Sequence, residues 1–520
     1  MIFRSDVILN KKKQRFITLN EKDNVCVALE NLKKGERING FSLKDNINSG
    51  FKFSNKQLFV GNDCIKYGSI IGKLSCDVEP GTMIHTNNLT FKNSDVVKKT
   101  RESIEKSETK KNLILRDNTF KGFVRENDEV ATRNYIGVIS TVNCANTVVD
   151  EVTNHFRYGS GRDLINSINK SEVLIDGVIP IKHNLGCAMK KDGTGHQLLR
   201  KTLEGYALHS NFCYVIVIGL GCEVNDMSYL GNHVPSIEYL TIQGLGGSNK
   251  SSKIAIEKIN YFLKFNNLTS RVPVPLSHLK ISLQCGGSDS FSGITANPLL
   301  GKAVDTIIDY GGTAILGETP EIYGAEHLIM NRAISNSIAN KIKDKILWWE
   351  RYTSSMGESI NNNPSTGNLN GGISNIAEKS LGAVAKSGSR PLVDVIDYAE
   401  KIESNGFIFM DTPGYDPVSV TGHIAGGCNL VCFTTGRGSA FGSFPSPTLK
   451  ISSNTNLYMT QCDDIDFNAG TLLDNCCDED ELTYHLVMKI IEIASGYKSK
   501  SEINGYGYNE FVPWHQGAVL

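Results

Sequence analysis

The chain has 520 residues, a formal net charge of −1, 40% hydrophobic and 21% charged residues. That is the length and balance of a globular protein of two or three domains. It excludes the broad basic footprint of a nucleic-acid or anionic-membrane binder, and no apolar run approaches the roughly 20 residues of a bilayer span.

The opening, MIFRSDVILNKKKQRF, lacks the continuous apolar core of a secretory signal, so the cytosol is the expected compartment. The 13 cysteines contain no CxxC pair and are expected as thiols, not as disulfides or a zinc finger. Cys476 and Cys477, in DNCCDEDEL, read as loop residues.

Residues 1–95 read as a small β-rich module. VCVALENL, KQLFVG, KYGSIIGKL and TMIHTNN are short apolar pieces separated by turn chemistry such as NSG, GND and EPG. Residues 96–120 read as a charged, solvated linker. From 121 to 270 the apolar runs NYIGVIST and YVIVIGLG alternate with the helical spacing of TVVDEVTNHF and GHQLLRKTLEGYALH. This predicts a first α/β lobe. Residues 271–520 predict a second, beginning with LKISLQCGG and the helix NPLLGKAVDTIIDYGG. AEHLIMNRAISNSIANKIKDKILWWERY predicts one long helical stretch. SSMGESINNNPSTGNLNGG has no periodicity, and long loops of that kind are often functional. The tail, EFVPWHQGAVL, is expected to pack on the body or on a partner subunit.

Polar residues gather where apolar runs end, the edge at which open α/β sheets bind ligands. Cys144 follows a strand and precedes a helix, a position that favours thiolate. His183 and Cys187 stand four apart in HNLGCAMKKDGTGH, suited to Fe(II) or Zn(II), with His183 alternatively a general base. His196 is read as capping or packing at the next helix. Cys222 and Glu223 follow a strand in VIVIGLGCEVN, but the third glycine of a dinucleotide fingerprint is absent. LQCGGSDSFSGITANP has neither the lysine of a phosphate loop nor a hydrolase nucleophile elbow. Its Gly286 and Gly287 free backbone N–H groups beside Cys285, Ser288 and Asp289, at a helix start suited to an anion. Arg437, between two glycines in FTTGRGS, is placed to grip an anion, and Lys379 and Lys386 could reach a carboxylate. These residues suit a small anionic molecule and one metal.

The chain resembles the altronate dehydratase and galactarate dehydratase family of sugar-acid dehydratases. The matching runs include GFVRENDEVATRNYIGVIST, HNLGCAMKKDGTGH, VIVIGLGCEVN, LQCGGSDSFSGITANPLLG, GETPEIYGAEHLIMNRA, NPSTGNLNGGISNIAEKSLGAVAKSG, MDTPGYDPVS and VCFTTGRGSAFG, in order along nearly the whole chain. DNVCVAL, KYGSIIGKL and EPGTMIHTNN resemble the family's N-terminal β-clip, or SAF, module. The implied architecture is α/β: this module followed by two α/β lobes forming the catalytic region. One departure is Asn20 in LNEKDN, where the family often carries a His; His85 matches a His common in the altronate branch.

The resemblance implies loss of water from an aldonic or aldaric acid to give a 2-keto-3-deoxy acid, with a divalent metal, Fe(II) ahead of Mn(II) or another ion. Metal and cationic groups must stabilise the enediolate, and an acid must help the β-hydroxyl depart. The roles that follow are catalytic for His183, Glu223 and Asp289. Gly286, Gly287, Ser288, Lys386, Arg437 and His85 are assigned to substrate. Cys144, His183, Cys187, Cys222 and Cys285 are assigned to metal. A mononuclear ion is placed ahead of an iron–sulfur cluster, which would need three or four of the thiols to converge. The partners expected are the small sugar acid and further copies of the chain. Galactarate dehydration, sulfolactate sulfo-lyase activity and non-catalytic sugar-acid binding are the alternatives. A thiol-dependent redox enzyme would need a paired reactive Cys motif, which is absent.

Overall fold

The computed structural model describes residues 14–91, 113–170, 174–230, 236–265, 269–474 and 478–517. Most of the expected linker, 96–112, and the Cys476–Cys477 pair lie outside the described residues.

Residues 14–91 form short antiparallel strands, as their turn spacing requires. Phe16–Ile17, Val25–Ala28, Lys52–Ser54 and Met83–Ile84 make one sheet, and Asp63–Lys66, Ser69–Leu74 and Leu89–Thr90 another.

The first lobe is built on a parallel sheet of β1 (Tyr135–Ser140), β2 (Gly177–Ile181), β3 (Phe212–Gly219) and β4 (Ile237–Thr241), in the order β2-β1-β3-β4. Every residue of β1 is buried, which is why it reads as an unbroken apolar run. Helix α1 (Asn146–Tyr158) follows β1, and α2 (Thr194–Ala207) follows β2.

The second lobe holds seven parallel strands: β5 (Lys280–Cys285), β6 (Thr313–Leu316), β7 (Leu392–Ile396), β8 (Gly406–Met410), β9 (Leu430–Thr435), β10 (Thr448–Ser452) and β11 (Phe467–Asn468). Their order is β7-β8-β6-β5-β9-β10-β11. The helices that bear on the site are α3 (Ala296–Asp309), α4 (Thr366–Asn370), α5 (Ile376–Val384) and α6 (Asp416–Ala425).

Three expectations change. Residues 113–120 are not all linker: Leu115 is buried, and Thr119–Val124 pairs antiparallel with Val272–Pro275. That pairing crosses the expected boundary at 270, so a small sheet joins the lobes. VPVP escaped notice because its prolines break the strand pattern. The long helical stretch is two helices, Glu326–Met330 and Asn336–Ser355, because Ser335 Oγ accepts Ile338 N–H and caps the second. The tail packs on the body, with Trp514 stacked on Trp349 at 5.3 Å between ring centroids.

The strand starts of the two sheets are hydrogen-bonded to one another. Thr132 Oγ1 donates to Asn429 O (2.6 Å), and His209 Nε2 to Cys428 O (3.0 Å). At the other end the tail bridges the strand ends. Trp514 N–H donates to Tyr398 OH, just past β7, and two residues later Gln516 O lies against Gly195 at the start of α2. Two residues span about 7 Å. Both C-terminal sheet edges therefore open on the same side of the molecule.

Candidate active site

Each sheet has one place where the chain reverses its direction of travel across the strands. Ligands of open α/β sheets bind outside the strand ends at that switch point. In the second lobe it lies between β5 and β9, flanked by Gly286–Gly287–Ser288 and by Gly436–Arg437. In the first it lies between β1 and β3, flanked by the turns that carry Cys144 and Cys222.

At the second-lobe edge, Cys285, Glu318 and Glu321 place their ligand atoms within 4.8 Å of one another, all buried. Lys386 Nζ donates to Cys285 Sγ at 2.7 Å, and Lys379 Nζ pairs with Glu321 Oε1 at 2.7 Å. Asp416, at the start of α6, accepts Gln284 Nε2–H at 3.0 Å. Gly286 is required here, because a Cβ would lie 2.2 Å from Asp416 Oδ2. Glu318 sits in the left-handed region (φ 63°, ψ 62°), a strained state for a residue other than glycine. Its Oε1 is buried with no hydrogen-bond partner.

These surroundings push the carboxyl groups apart. Burial, reinforced by Glu321, holds Glu318 well above the usual carboxylate range. Burial also opposes ionisation of Glu321, but Lys379 and Lys386 bring it below that range. Burial and then Glu321 push Asp416 up to about 6. Burial pushes the Cys285 thiol up to about 11 against the pull of Lys386. The surroundings thus favour the proton on Glu318 and the ionised form of Glu321, with Asp416 raised to about 6. Such divergence between neighbouring carboxyls marks an acid and a base.

The donor set does not fit a divalent cation. Lys386 Nζ already occupies Cys285 Sγ and Lys379 Nζ already occupies Glu321 Oε1, and the two ammonium groups repel a further cation.

The segment 357–372 covers this edge. Asn363 Nδ2 donates to Glu321 Oε1 (2.8 Å), and Asn368 Nδ2 donates to Ser288 O (2.8 Å). Its helix α4 is set by a capping box between Ser365 and Asn368. Arg437 is exposed nearby, its Nε 3.8 Å from where a Gly367 Cβ would stand. Its guanidinium makes no hydrogen bond or ion pair among the described residues.

The N-terminal module packs onto the same region. Lys52 Nζ and Lys66 Nζ each lie 2.7 Å from a different oxygen of Glu378 on α5, all three buried. Lys66 also donates to Ser290 Oγ at 3.0 Å.

At the first-lobe edge, three turns interlock. Asn143 N–H donates to Leu185 O (3.0 Å), and Asn225 N–H donates to Gly186 O (3.3 Å). Asn225 Nδ2 donates to Thr141 O (3.0 Å). Gly186 (φ +100°) permits this contact, since a Cβ would lie 2.3 Å from Thr141 O. The three turns carry Cys144, Cys187 and Cys222, all exposed.

Residues 276–519 match the model of the D-galactarate/altronate dehydratase C-terminal domain. Residues 122–267 match that of the D-galactarate dehydratase/altronate hydrolase second domain, and 14–92 that of the altronate/galactarate dehydratase SAF domain. An altronate dehydratase of Bacillus subtilis (strain 168) is 35% identical over 516 residues, 97% of this chain and 99% of the relative. The chain belongs to the altronate/galactarate dehydratase family. An altronate dehydratase of Escherichia coli (strain K12) is 32% identical, covering 97% of this chain and 100% of its own. A galactarate dehydratase (L-threo-forming) of the same organism is 29% identical over 93% of each. The family is one of hydro-lyases.

Within this family member, several roles expected of single residues move. His183 is engaged within the fold: Nε2 donates to Ser140 O (3.0 Å) and Nδ1 accepts Leu185 N–H (3.1 Å). Burial lowers its pKa to about 4, so it is neutral and both nitrogens are used. Glu223 is committed too. Oε1 accepts Thr141 Oγ1–H (2.6 Å), and Oε2 accepts the Gly221 (2.7 Å) and Cys222 (3.0 Å) N–H groups, so it shapes the Cys222 turn. Asp289 staples its loop. Oδ1 accepts Ser292 N–H, Ser292 Oγ–H and Ser453 Oγ–H, each at 2.8 Å, and Oδ2 accepts Asn454 Nδ2–H at 3.2 Å. Lys386 is buried on Cys285, and Cys285 lies in a different lobe from the other three thiols. His85 Nε2 pairs with Leu369 O (3.2 Å) and stacks on Phe51, docking the SAF module on α4. Asn20 makes a local turn, donating its N–H to Asp23 Oδ2 (3.1 Å) and accepting Lys22 N–H (3.0 Å).

Glu318, Glu321 and Asp416 were missed. The signal for Glu318 and Glu321 was a pair of carboxylates close after an apolar strand, in ILGETPE; that for Asp416 was an acidic residue opening a helix just past a strand, in FMDTPGYDP.

A groove of about 930 Å3 lies at the opposite side, near the starts of β1 and β3, and includes Arg125, Ser210 and Tyr261. It is the wrong end of the sheet for this chemistry. Among the described residues, no helix is long and apolar enough to cross a membrane.

Proposed function

We propose that the chain removes water from an altronate-type hexonate across C2 and C3. The observation that carries this is the cluster of buried carboxyls at the second-lobe switch point: Glu318 and Glu321 beside Cys285, with Lys379 and Lys386 against them and Asp416 at the start of α6. Asp416 takes the C2 proton; a base whose pKa lies near the working pH does this most effectively. Charge moves onto the adjacent carboxylate, where cationic groups stabilise the enediolate. Arg437, free at the mouth, is placed to bind that carboxylate as a fork. Glu318 gives its proton to the C3 hydroxyl, the C3–O bond breaks and water leaves. The enol then ketonises, taking a proton at C3, to the 2-keto-3-deoxy acid. Lys379 and Lys386 keep Glu321 ionised and the cluster neutral enough to bind an acid. The segment 357–372 excludes bulk water.

Cys144, Cys187 and Cys222, soft donors at one sheet edge, would hold iron, which would supply Lewis acidity to a substrate oxygen.

Altronate, galactarate and sulfolactate assayed side by side, anaerobically with iron, test the reading. Keto-acid formation from altronate is the expected result. Ligand-induced melting shifts without turnover of any of the three would overturn it in favour of a binding protein. Arg437→Ala is expected to raise KM by about tenfold to a hundredfold with little change in kcat, the size of a lost charged hydrogen bond. Steady-state kinetics on altronate checks this.

A further inference from the structure

We infer that Cys144, Cys187 and Cys222 hold an iron–sulfur cluster through three protein thiolates, leaving one iron without a protein ligand. Free cysteines are usually buried, packing as small hydrophobes. Five of the described cysteines are exposed, and three of these stand on the interlocked turns at one sheet edge. That edge is a topological switch point, flanked by the Cys144 and Cys222 turns. Cys187 and Cys222 each follow a glycine with positive φ, Gly186 (+100°) and Gly221 (+114°). Those turns bring the backbone close without a Cβ in the way. Gln243 Nε2 donates to Cys222 Sγ at 3.4 Å, a hydrogen bond of the kind that tunes cluster sulfurs.

The competing ligands are withdrawn. His183 and Glu223 spend their polar atoms on backbone and on Thr141. The three turns keep their exposed thiols as the soft donors.

Spacing separates a cluster from a single ion. Thiolates on one tetrahedral ion at about 2.3 Å lie roughly 4 Å from each other. Among the described residues, the set of three ligand atoms all within 4.8 Å is Cys285, Glu318 and Glu321, so the three thiols are spread more widely. A cluster gives each thiolate its own iron, so its thiolates stand farther apart than those on one ion. The first-lobe edge opens on the same side as Glu318 and Asp416. An iron lacking a protein ligand there can take a substrate carboxylate or hydroxyl oxygen; this use, unlike the cluster itself, rests on the proposed dehydration.

The full chain, purified anaerobically and reconstituted with ferrous iron and sulfide, is the material for the test. About four iron and four acid-labile sulfide per chain, with visible charge-transfer absorption, is the expected result. Cys144→Ser, Cys187→Ser and Cys222→Ser each lose most of both, while Cys76→Ser and Cys462→Ser keep them. Thiol labelling read by mass spectrometry needs no variant: Cys144, Cys187 and Cys222 are alkylated in the apo chain and protected after reconstitution. Iron bound without sulfide, or labelling of the three thiols unchanged by reconstitution, overturns the inference. Altronate turnover by a chain without labile sulfide would sink the cluster and leave the dehydratase reading standing. A cluster on the three thiols without turnover would do the reverse.

Discussion

Replacing Asp416 by asparagine lowers kcat on altronate by a factor of about 10²–10⁴, the loss expected when a general base is removed. The substitution keeps the side-chain volume and a partner for Gln284, so the strand end and the start of α6 should stay in place. Circular dichroism and an unchanged melting temperature check that. The wild-type pH profile carries the same assignment. Burial and Glu321 raise Asp416 to about 6, so the base is protonated and idle below that value and ionised above it. The activity of the wild type therefore rises as pH increases through about 6. Replacing Glu321 by glutamine removes the like charge that helps raise Asp416, and the acid limb moves to lower pH.

The second large effect is on stability. Glu378→Ala leaves Lys52 and Lys66 as two buried ammoniums without a counter-charge. Breaking a buried pair in this way costs about 3–5 kcal/mol. Hydrophobic burial elsewhere cannot offset it, because the alanine adds no apolar contact for either ammonium. The expected outcome is release of the SAF module from the second lobe, seen as faster amide exchange across residues 50–54 and 374–380 and a lower melting temperature. The pH sign follows from the depressed pKa of Glu378. Burial opposes its ionisation, but Lys52 and Lys66 hold it well below the carboxylate range. Its contribution is therefore complete above the unfolded value of about 4.3 and is lost as pH falls through the lower folded value. The wild type should lose SAF docking in acid; Glu378→Ala should show little further acid sensitivity there.

Much of the frame was legible because its cause is local. YIGVIS and FCYVIVIG are parallel strands buried on both faces, so they appear as continuous apolar runs. The SAF strands are separated by turns whose glycines and prolines announce them. VPVP was illegible for the opposite reason, since its pairing with Thr119–Gly122 leaves little periodic trace. The site was half legible. Gly286, Gly287, Cys285 and Arg437 stand at strand ends, where position alone draws attention. The engagement of His183 was not legible, because its Ser140 and Leu185 partners are fixed by the fold, and a histidine near a cysteine looks the same with or without them. Burial raises Glu318, but Glu321 owes its lowered pKa to lysines far along the chain: Lys379 is 58 residues from Glu321, and Lys386 is 101 from Cys285. No local pattern encodes that. The three thiols were visible as cysteines, but their shared edge depends on the strand order β2-β1-β3, which a linear reading does not supply.

The division of labour between Asp416 and Glu318 is the centre of the account. It is tested most directly by proton magnetic resonance on altronate in deuterium oxide with the Glu318→Gln variant. The account predicts that the variant, keeping its base, washes deuterium into C2 of unreacted altronate while keto-acid formation falls by about 10²–10⁴. Keto-acid formation at the wild-type rate would contradict it.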